Sequence, residues 1–416
     1  MGSCLSKAMH SNTTEADNLE EETKKMTTPV SIATNWRELS GENYWKDLLD
    51  PLDINLRRYI IHYGEMVQAI YDAFNDDKPS KYVGRSRYGK RHFFSKVGLD
   101  KGNPFKYEVT KFLYATSEID FLILDDVEET NWIGYVAVAT DEGKAMLGRR
   151  DIVIAWRGTL QMAEWVKDFQ FLLHDAPIIF GSESDCKVHR GFYSIYTATN
   201  SSHSAFINAS ARTQVLAEIR RLVDKFKDEQ ISITVTGHSL GAAIATLNAV
   251  DIVANGFNIR KDESHKACPV TAFVFASPRV GDPDFQKFSS SQKDLRMLRI
   301  ANEKDIIPRH PFLGYADVGE ELEIDTQKSD FLKQPGDVKS WHNLEVYLHG
   351  VAGTQGSKGG FNLEVKRDVA LVNKSLDALK DEYQIPEAWR VVENKGLIQQ
   401  SDGTWFMPDP EFEDDV

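Results

Sequence analysis

The stretch Ile231-Ser232-Ile233-Thr234-Val235-Thr236-Gly237-His238-Ser239-Leu240-Gly241-Ala242-Ala243 decides how the rest of the chain is read. Ile231 to Thr236 is a short β-branched run of the length and composition of a buried strand. Ala242, Ala243 and Ala245 open a segment of small residues that reads as the start of a helix. Between the two lies a serine with a glycine two positions to either side. A strand that turns sharply into a helix can hold such a serine on a strained corner, and the flanking glycines let the backbones pass closely. The helix N-terminus beneath it favours negative charge developing on a reacting carbonyl. Ser239 is therefore the candidate nucleophile; the bland alternative is a structural Gly-rich turn.

Working outward, further strand-sized runs occur at Trp132 to Ala139, Asp151 to Trp156, Thr271 to Phe275 and Leu295 to Ile300. Helical or loop segments separate the later ones, which is the pattern of a mostly parallel sheet covered on both faces, an α/β architecture. Ahead of them, Tyr59, Ile60, Tyr63, Val67, Ile70 and Phe74 recur at three- and four-residue steps from Leu56, predicting an amphipathic helical extension. Val215, Ile219, Leu222 and Phe226 predict another helix. Gly353 to Gly360 reads as a Gly-rich loop, and Val369, Leu371, Val372, Leu376 and Leu379 predict a late helix from Asp368. Residues 1–33 are polar and acidic and are expected to be a disordered tail, 34–408 a single domain, and 409–416 a second acidic tail.

A serine needs a base within hydrogen-bond reach and an acid that holds the base in the right tautomer. In a fold of this kind the chain order is Ser, then Asp or Glu, then His. Asp305 follows the strand Leu295 to Ile300 directly, where a loop would carry it toward the nucleophile; Asp282, Asp284 and Asp317 compete, the first two in a Gly-Asp-Pro-Asp turn suited to backbone capping. For the base, His310, His342 and His349 all lie downstream, and spacing does not choose among them. An oxyanion hole needs two backbone donors. Leu240 supplies one, and Arg157-Gly158-Thr159, at the exit of the strand Asp151 to Trp156, can place the Thr159 amide as the other. Arg157 itself reads as a structural ion-pairing residue. Trp165, Phe169, Phe171, Leu172, Leu173, Ile178, Ile179 and Phe180 have the apolar composition of a movable lid, and equally that of core.

Composition removes several functional classes. With 416 residues, 41% hydrophobic and 27% charged, the chain can bury a large interior. Its net charge of −14 disfavours nucleic acid as a partner. No run approaches the roughly 20 apolar residues of a membrane span. Cys4, Cys186 and Cys268 lack the spacing of a metal site or a disulfide framework, and a cytoplasmic setting is expected. Met1-Gly2-Ser3-Cys4-Leu5-Ser6 fits an N-myristoylation pattern with a second acylatable position at Cys4, a route to peripheral membrane tethering.

Four motifs occurring in order, Trp156 to Thr159, Gly237 to Gly241, Ser277-Pro278-Arg279-Val280-Gly281 and Asn302 to Pro308, resemble the class 3 lipase family. Trp36 to Gly41, Leu49 to Asp53, His342 to Gly350 and Arg367 to Lys374 resemble, more narrowly, the plant cytosolic phospholipase A1 group of class II, a likeness covering about residues 34 to 408. The resemblance implies an α/β-hydrolase fold with a mostly parallel central sheet and an N-terminal helical extension, no cofactor and no metal. It implies hydrolysis of the sn-1 ester of a phospholipid at a lipid interface. It assigns the base to His342, beside Ser239 and Asp305, with Thr159 and Leu240 as oxyanion donors. A neutral glyceride lipase or general esterase would use the same residues, and a non-catalytic lipase-like scaffold would keep the fold. Oligomeric state is not legible.

Overall fold

The computed structural model describes residues 32–77, 80–116, 131–159, 172–199, 209–261, 266–356, 358–390, 398–399, 401–402 and 404–406. The Gly2 and Cys4 motif, the acidic C-terminal residues and the expected lid residues Trp165, Phe169 and Phe171 lie outside these. Ile32 and Ala33, at the end of the stretch expected to be a tail, are among the described residues: Ile32 is buried and opens a helix over 32–39.

The strands used below are, in chain order, β1 (Tyr107–Ala115), β2 (Asn131–Ala139), β3 (Arg150–Trp156), β4 (Leu173–Asp175), β5 (Lys187–His189), β6 (Ile231–His238), β7 (Val270–Phe275), β8 (Leu295–Asn302) and β9 (Glu320–Ile324). Seven of them make one sheet in the order β1-β2-β3-β6-β7-β8-β9. The first two pairings, β1 with β2 and β2 with β3, are antiparallel; from β3 onward every neighbour is parallel. This is the mostly parallel α/β sheet expected. All five anticipated strands are in it, joined by two edge strands, β1 and β9.

The helices used below are α1 (Ile54–Ala73), α2 (Arg190–Thr197), α3 (Ala211–Lys225), α4 (Leu240–Ala254), α5 (Pro283–Ser291), α6 (Val338–His342) and α7 (Leu344–Gly353). Side chains alternate across each strand, so the sheet feeds two separate cores. From β3, Ile152, Ile154 and Trp156 join one cluster with residues of α2, α3 and α4. Val153 and Ala155 point the other way, into a cluster with Tyr59, Ile60, Val67 and Ile70 of α1 and Tyr347, Leu348 and Val351 of α7. The N-terminal extension is thus one of the two covering layers of the sheet.

Two local contacts fix α1. The side chain of Asp53 accepts from the amides of Asn55 and Leu56 at 2.8 and 2.9 Å, satisfying donors that a helix start leaves orphaned. At the amino ends of β3 and β6, fully buried Arg149 donates to Ser232 Oγ at 2.9 Å, to the Tyr59 hydroxyl, and to Tyr63 at 3.0 Å, with Asp151 beside it at 3.5 Å. Two desolvated charges persist there because each has several partners.

The late helix from Asp368 is not formed. Only Val369–Asn373 is helical, as one 3₁₀ segment. The Asn373 side-chain carbonyl then accepts from the amides of Ala378 and Leu379, both at 2.8 Å, offering the backbone a local alternative to continuing the helix. Val372, Ala378 and Leu379 still become buried, against Leu332 and Val346.

Candidate active site

Parallel strands bring their carboxyl ends to one edge of the sheet, and β3, β6 and β8 there deliver Thr159, Ser239 and Asp305 on the loops that follow them. Ser239 stands on the corner between β6 and α4 with φ 58° and ψ −125°. An L-residue rarely adopts that conformation, and it persists because both flanks are pinned. The Ser239 amide donates to the Phe275 carbonyl of β7 at 2.9 Å, and the first turn of α4 is closed by Ala242 N–H to Ser239 O at 2.9 Å.

The two glycines of the motif have steric reasons. A Cβ on Gly237 would collide with the carbonyl of Gly241, and one on Gly241 with the carbonyl of Trp156. Strand, corner and helix are packed backbone on backbone.

Asp305 is 2% exposed, and every bond to its carboxylate orients it. Oδ1 accepts from the Ile307 amide at 3.0 Å; Oδ2 accepts from the Tyr347 hydroxyl at 2.7 Å and lies 2.6 Å from His342 Nδ1. Burial, and then the nearby Asp305 charge, raise the Tyr347 pKa well above its ordinary value, so Tyr347 remains a proton donor. His342 is fully buried at the end of α6, and Asn343 caps the start of α7 through its side chain. The base candidate therefore sits in the joint between two helices rather than at the start of one. Asn302 ties the two loops together: its side-chain amide donates to the Trp341 carbonyl at 2.8 Å.

The competing residues are engaged elsewhere. Asp282 caps α5 by accepting from the Phe285 amide at 2.9 Å, and Asp317 pairs with Arg279 and Arg299 at 3.0 and 3.2 Å. His349 bonds Ser329 Oγ at 2.8 Å between the rings of Phe331 and Phe361, and desolvation pushes its pKa down to about 4. His310 bonds the carbonyl of Ile306 at 2.8 Å.

Among the buried side-chain atoms left without a hydrogen bond are Ser239 Oγ and His342 Nε2. These are the two atoms a serine relay would join, and such bonds often tighten only when substrate is present. Leu240 opens α4, so its amide is one of the first-turn donors that have no partner inside the helix. On the facing side, Gly158 is pressed against the elbow: a Cβ there would lie 2.6 Å from the His238 carbonyl and 3.2 Å from Ser239 Cβ, and would also strike the Tyr71 hydroxyl. Thr159 follows it, partly buried.

Arg157 does not form the expected ion pair among the described residues. It donates to the carbonyls of Trp132 and Gly158 at 3.3 and 3.1 Å, and its guanidinium stacks 3.9 Å over the Phe74 ring. Burial lowers its pKa to about 10. Carbonyls that point at the strand end replace a carboxylate as its partners. Of the apolar segment after Thr159, the described part divides: Ile179 is buried and Phe180 packs on Phe285 and Phe288, while Leu172 and Ile178 are exposed.

Gly158→Ala is expected to lower the melting temperature, because the His238 carbonyl that the Cβ meets is backbone and must shift, and to lower kcat by about 10²- to 10³-fold, the scale of displacing one oxyanion donor. Steady-state kinetics on a soluble ester, with thermal denaturation alongside, tests it; wild-type kcat would show that this loop does not contact the reacting oxygen.

A serine on a strained strand-to-helix corner, at the carboxyl edge of a mostly parallel sheet and downstream of an antiparallel pair, defines the α/β-hydrolase class, and the chain is a carboxylic ester hydrolase of it. The Lipase (class 3) family profile matches residues 153–315. Phospholipase A1-IIgamma of Arabidopsis thaliana is 54% identical over 396 residues, spanning 92% of this chain and 94% of that one. Phospholipase A1-II 1 of Oryza sativa subsp. indica is 52% identical over 395 residues, spanning 92% and 98%. Among solved structures, the Yarrowia lipolytica LIP2 lipase aligns with a TM-score of 0.45 at 19% identity, over 66% of this chain and 82% of that one. The chain belongs to the plant phospholipase A1-II family.

Proposed function

We propose that this enzyme hydrolyses the sn-1 acyl ester of glycerophospholipids, with Ser239 as nucleophile, His342 as general base and acid, Asp305 as the group that orients His342, and the Leu240 and Thr159 amides as oxyanion donors. The observation that carries it is the 2.6 Å contact between Asp305 Oδ2 and His342 Nδ1, which leaves His342 Nε2, like Ser239 Oγ, buried and without a hydrogen-bond partner.

With the Asp305 carboxylate accepting, Nδ1 carries the proton and Nε2 is the lone-pair nitrogen. Ser239 Oγ attacks the ester carbonyl carbon as its proton passes to Nε2. The carbonyl electrons move onto oxygen, where the two amides stabilise them. Collapse expels the lysophospholipid alkoxide, which takes the proton from Nε2. Water then attacks the acyl-serine, giving up its proton to Nε2, and the free fatty acid leaves as Ser239 Oγ is reprotonated.

The names of the relatives support a phospholipid as substrate and the 1-position as the site of cleavage. Incubation with phosphatidylcholine vesicles carrying distinguishable acyl chains at sn-1 and sn-2 tests both points. Release of the sn-1 chain first is expected. Release of the sn-2 chain, or turnover of triacylglycerol in preference to phosphatidylcholine, would overturn the reading.

A further inference from the structure

The residue just before Ser239, between it and Gly237, is His238, and it is 6% exposed. A buried imidazole has to satisfy both ring nitrogens, and the partners here belong to the site itself. His238 Nε2 lies 2.8 Å from the backbone carbonyl of His342. Nδ1 lies 2.9 Å from the hydroxyl of Tyr71, in the last turns of α1. The same hydroxyl receives the amide of Gly158 at 3.1 Å.

Each partner's chemistry fixes the direction of these bonds. A carbonyl only accepts, so Nε2 carries the proton and Nδ1 is the acceptor. A backbone amide only donates, so the Tyr71 oxygen accepts from Gly158 and spends its own proton on Nδ1. The chain Gly158 N–H to Tyr71 O–H to His238 to His342 C=O is complete and runs one way. A second proton on His238 would turn Nδ1 into a donor and displace the Tyr71 hydroxyl proton from that bond. Burial, and then the neighbouring His342, hold its pKa well below the ordinary value, consistent with a permanently neutral ring. Burial also raises the Tyr71 pKa.

We propose that Tyr71 and His238 are positioning residues, a hydrogen-bonded strut across the back of Ser239 that fixes the base loop at His342 relative to the oxyanion loop at Gly158. The proposal rests on the assignment of Ser239 and His342 as nucleophile and base. The strut joins four chain segments far apart in sequence at the point where sub-ångström placement matters for catalysis. Asn302 holds the Trp341 carbonyl from the acid side, and His238 holds the next carbonyl from the nucleophile side. Tyr71 lies outside residues 153–315, the stretch matching the class 3 family, so the N-terminal extension takes part in building the site as well as covering the sheet.

The test uses the full chain and p-nitrophenyl butyrate, a soluble ester. Competent sites are counted by stoichiometric p-nitrophenol release from an activated phosphonate that captures Ser239, so that kcat is expressed per folded site. Tyr71→Phe removes one oxygen. His238→Gln keeps an amide donor near the Nε2 position and loses the acceptor, and therefore breaks the same bond to Tyr71. Each is expected to lower kcat per site about tenfold, with KM within about twofold. Because both remove one shared bond, the double variant is expected to be no worse than the poorer single variant. His238→Asn keeps an acceptor for Tyr71 and loses the donor to His342, so its loss is expected to multiply with that of Tyr71→Phe.

Wild-type kcat per site in Tyr71→Phe would overturn the strut, whether or not the His238 variants fold. Independent, multiplying losses in Tyr71→Phe and His238→Gln would overturn it as well. Ser239→Ala separates the strut from the site it serves. If that variant still turns over ester, the assignment of the site fails. If it is inactive while the Tyr71 and His238 variants keep wild-type kcat per site, only the strut fails.

Discussion

Ser239→Ala is expected to lower kcat by about 10⁶-fold, the scale seen when the nucleophile of a serine relay is removed. Stability should barely move. Ser239 Oγ is buried but makes no hydrogen bond, so its removal leaves no partner unsatisfied, and the cavity is one oxygen in size. Alanine also inherits the φ of 58°, so the strain of the corner remains. Ser239→Gly should lose activity to the same extent yet melt at a higher temperature than Ser239→Ala, because glycine adopts that φ without a Cβ penalty of about 1 kcal/mol. The pair of measurements distinguishes a catalytic oxygen from a structural one. Turnover within tenfold of wild type in either variant would remove Ser239 from the mechanism.

The sequence was most legible where one residue type has one physical use. The place of Ser239 on a strand-to-helix corner could be read because a strand, a serine between two glycines and a run of alanines together build little besides such a turn, and the glycines meet the carbonyls of Gly241 and Trp156 that make them necessary. The central parallel strands β3, β6 and β7 could be read because they are buried throughout and consist mostly of apolar and β-branched residues. The edges were harder. In β9, Glu320, Glu321 and Glu323 look like a solvated loop, although acidic side chains are one way an edge strand is kept from pairing further. In β1, Tyr107, Thr110, Lys111 and Tyr114 are only partly buried, Glu108 is exposed, and the register with β2 shifts twice.

Partners supplied by distant segments were not legible at all. Neither Tyr347, inside the stretch His342 to Gly350, nor Tyr71, next to Ile70 of the apolar stripe, is marked out by spacing. Only the fold shows that the first donates to Asp305 and the second to His238. His238 occupies the position of the motif whose identity the backbone does not dictate, so no spacing argument reaches it. Asp368 and the apolar spacing after it suggested a helix, since periodicity does not register that the Asn373 side chain has taken the amides of Ala378 and Leu379 as its own partners.

Asp305→Asn is expected to lower kcat by about 10⁴-fold while the fold is retained, the scale at which a wrongly held tautomer disables a serine relay. The carboxylate faces three donors: the Ile307 amide at Oδ1, and the Tyr347 hydroxyl and His342 Nδ1 at Oδ2. An asparagine must turn its –NH₂ toward one set or the other. Turned toward Oδ1, it opposes a backbone amide that has no means of rotating. Turned toward Oδ2, it relieves that conflict by donating to Nδ1, which moves the imidazole proton to Nε2, the nitrogen that must stay bare to accept from Ser239. The second arrangement costs less in folding and more in catalysis, since the Tyr347 hydroxyl can reorient and a peptide N–H cannot. Tyr347→Phe removes one donor and leaves the carboxylate to hold Nδ1, so its loss of kcat should stay near tenfold. Steady-state kinetics on a soluble ester, with circular dichroism and melting temperature for each variant, measures the gap. Equal losses in the two variants would mean that Asp305 acts only by buttressing the loop, and that the tautomer of His342 is set by something other than its 2.6 Å contact with Asp305.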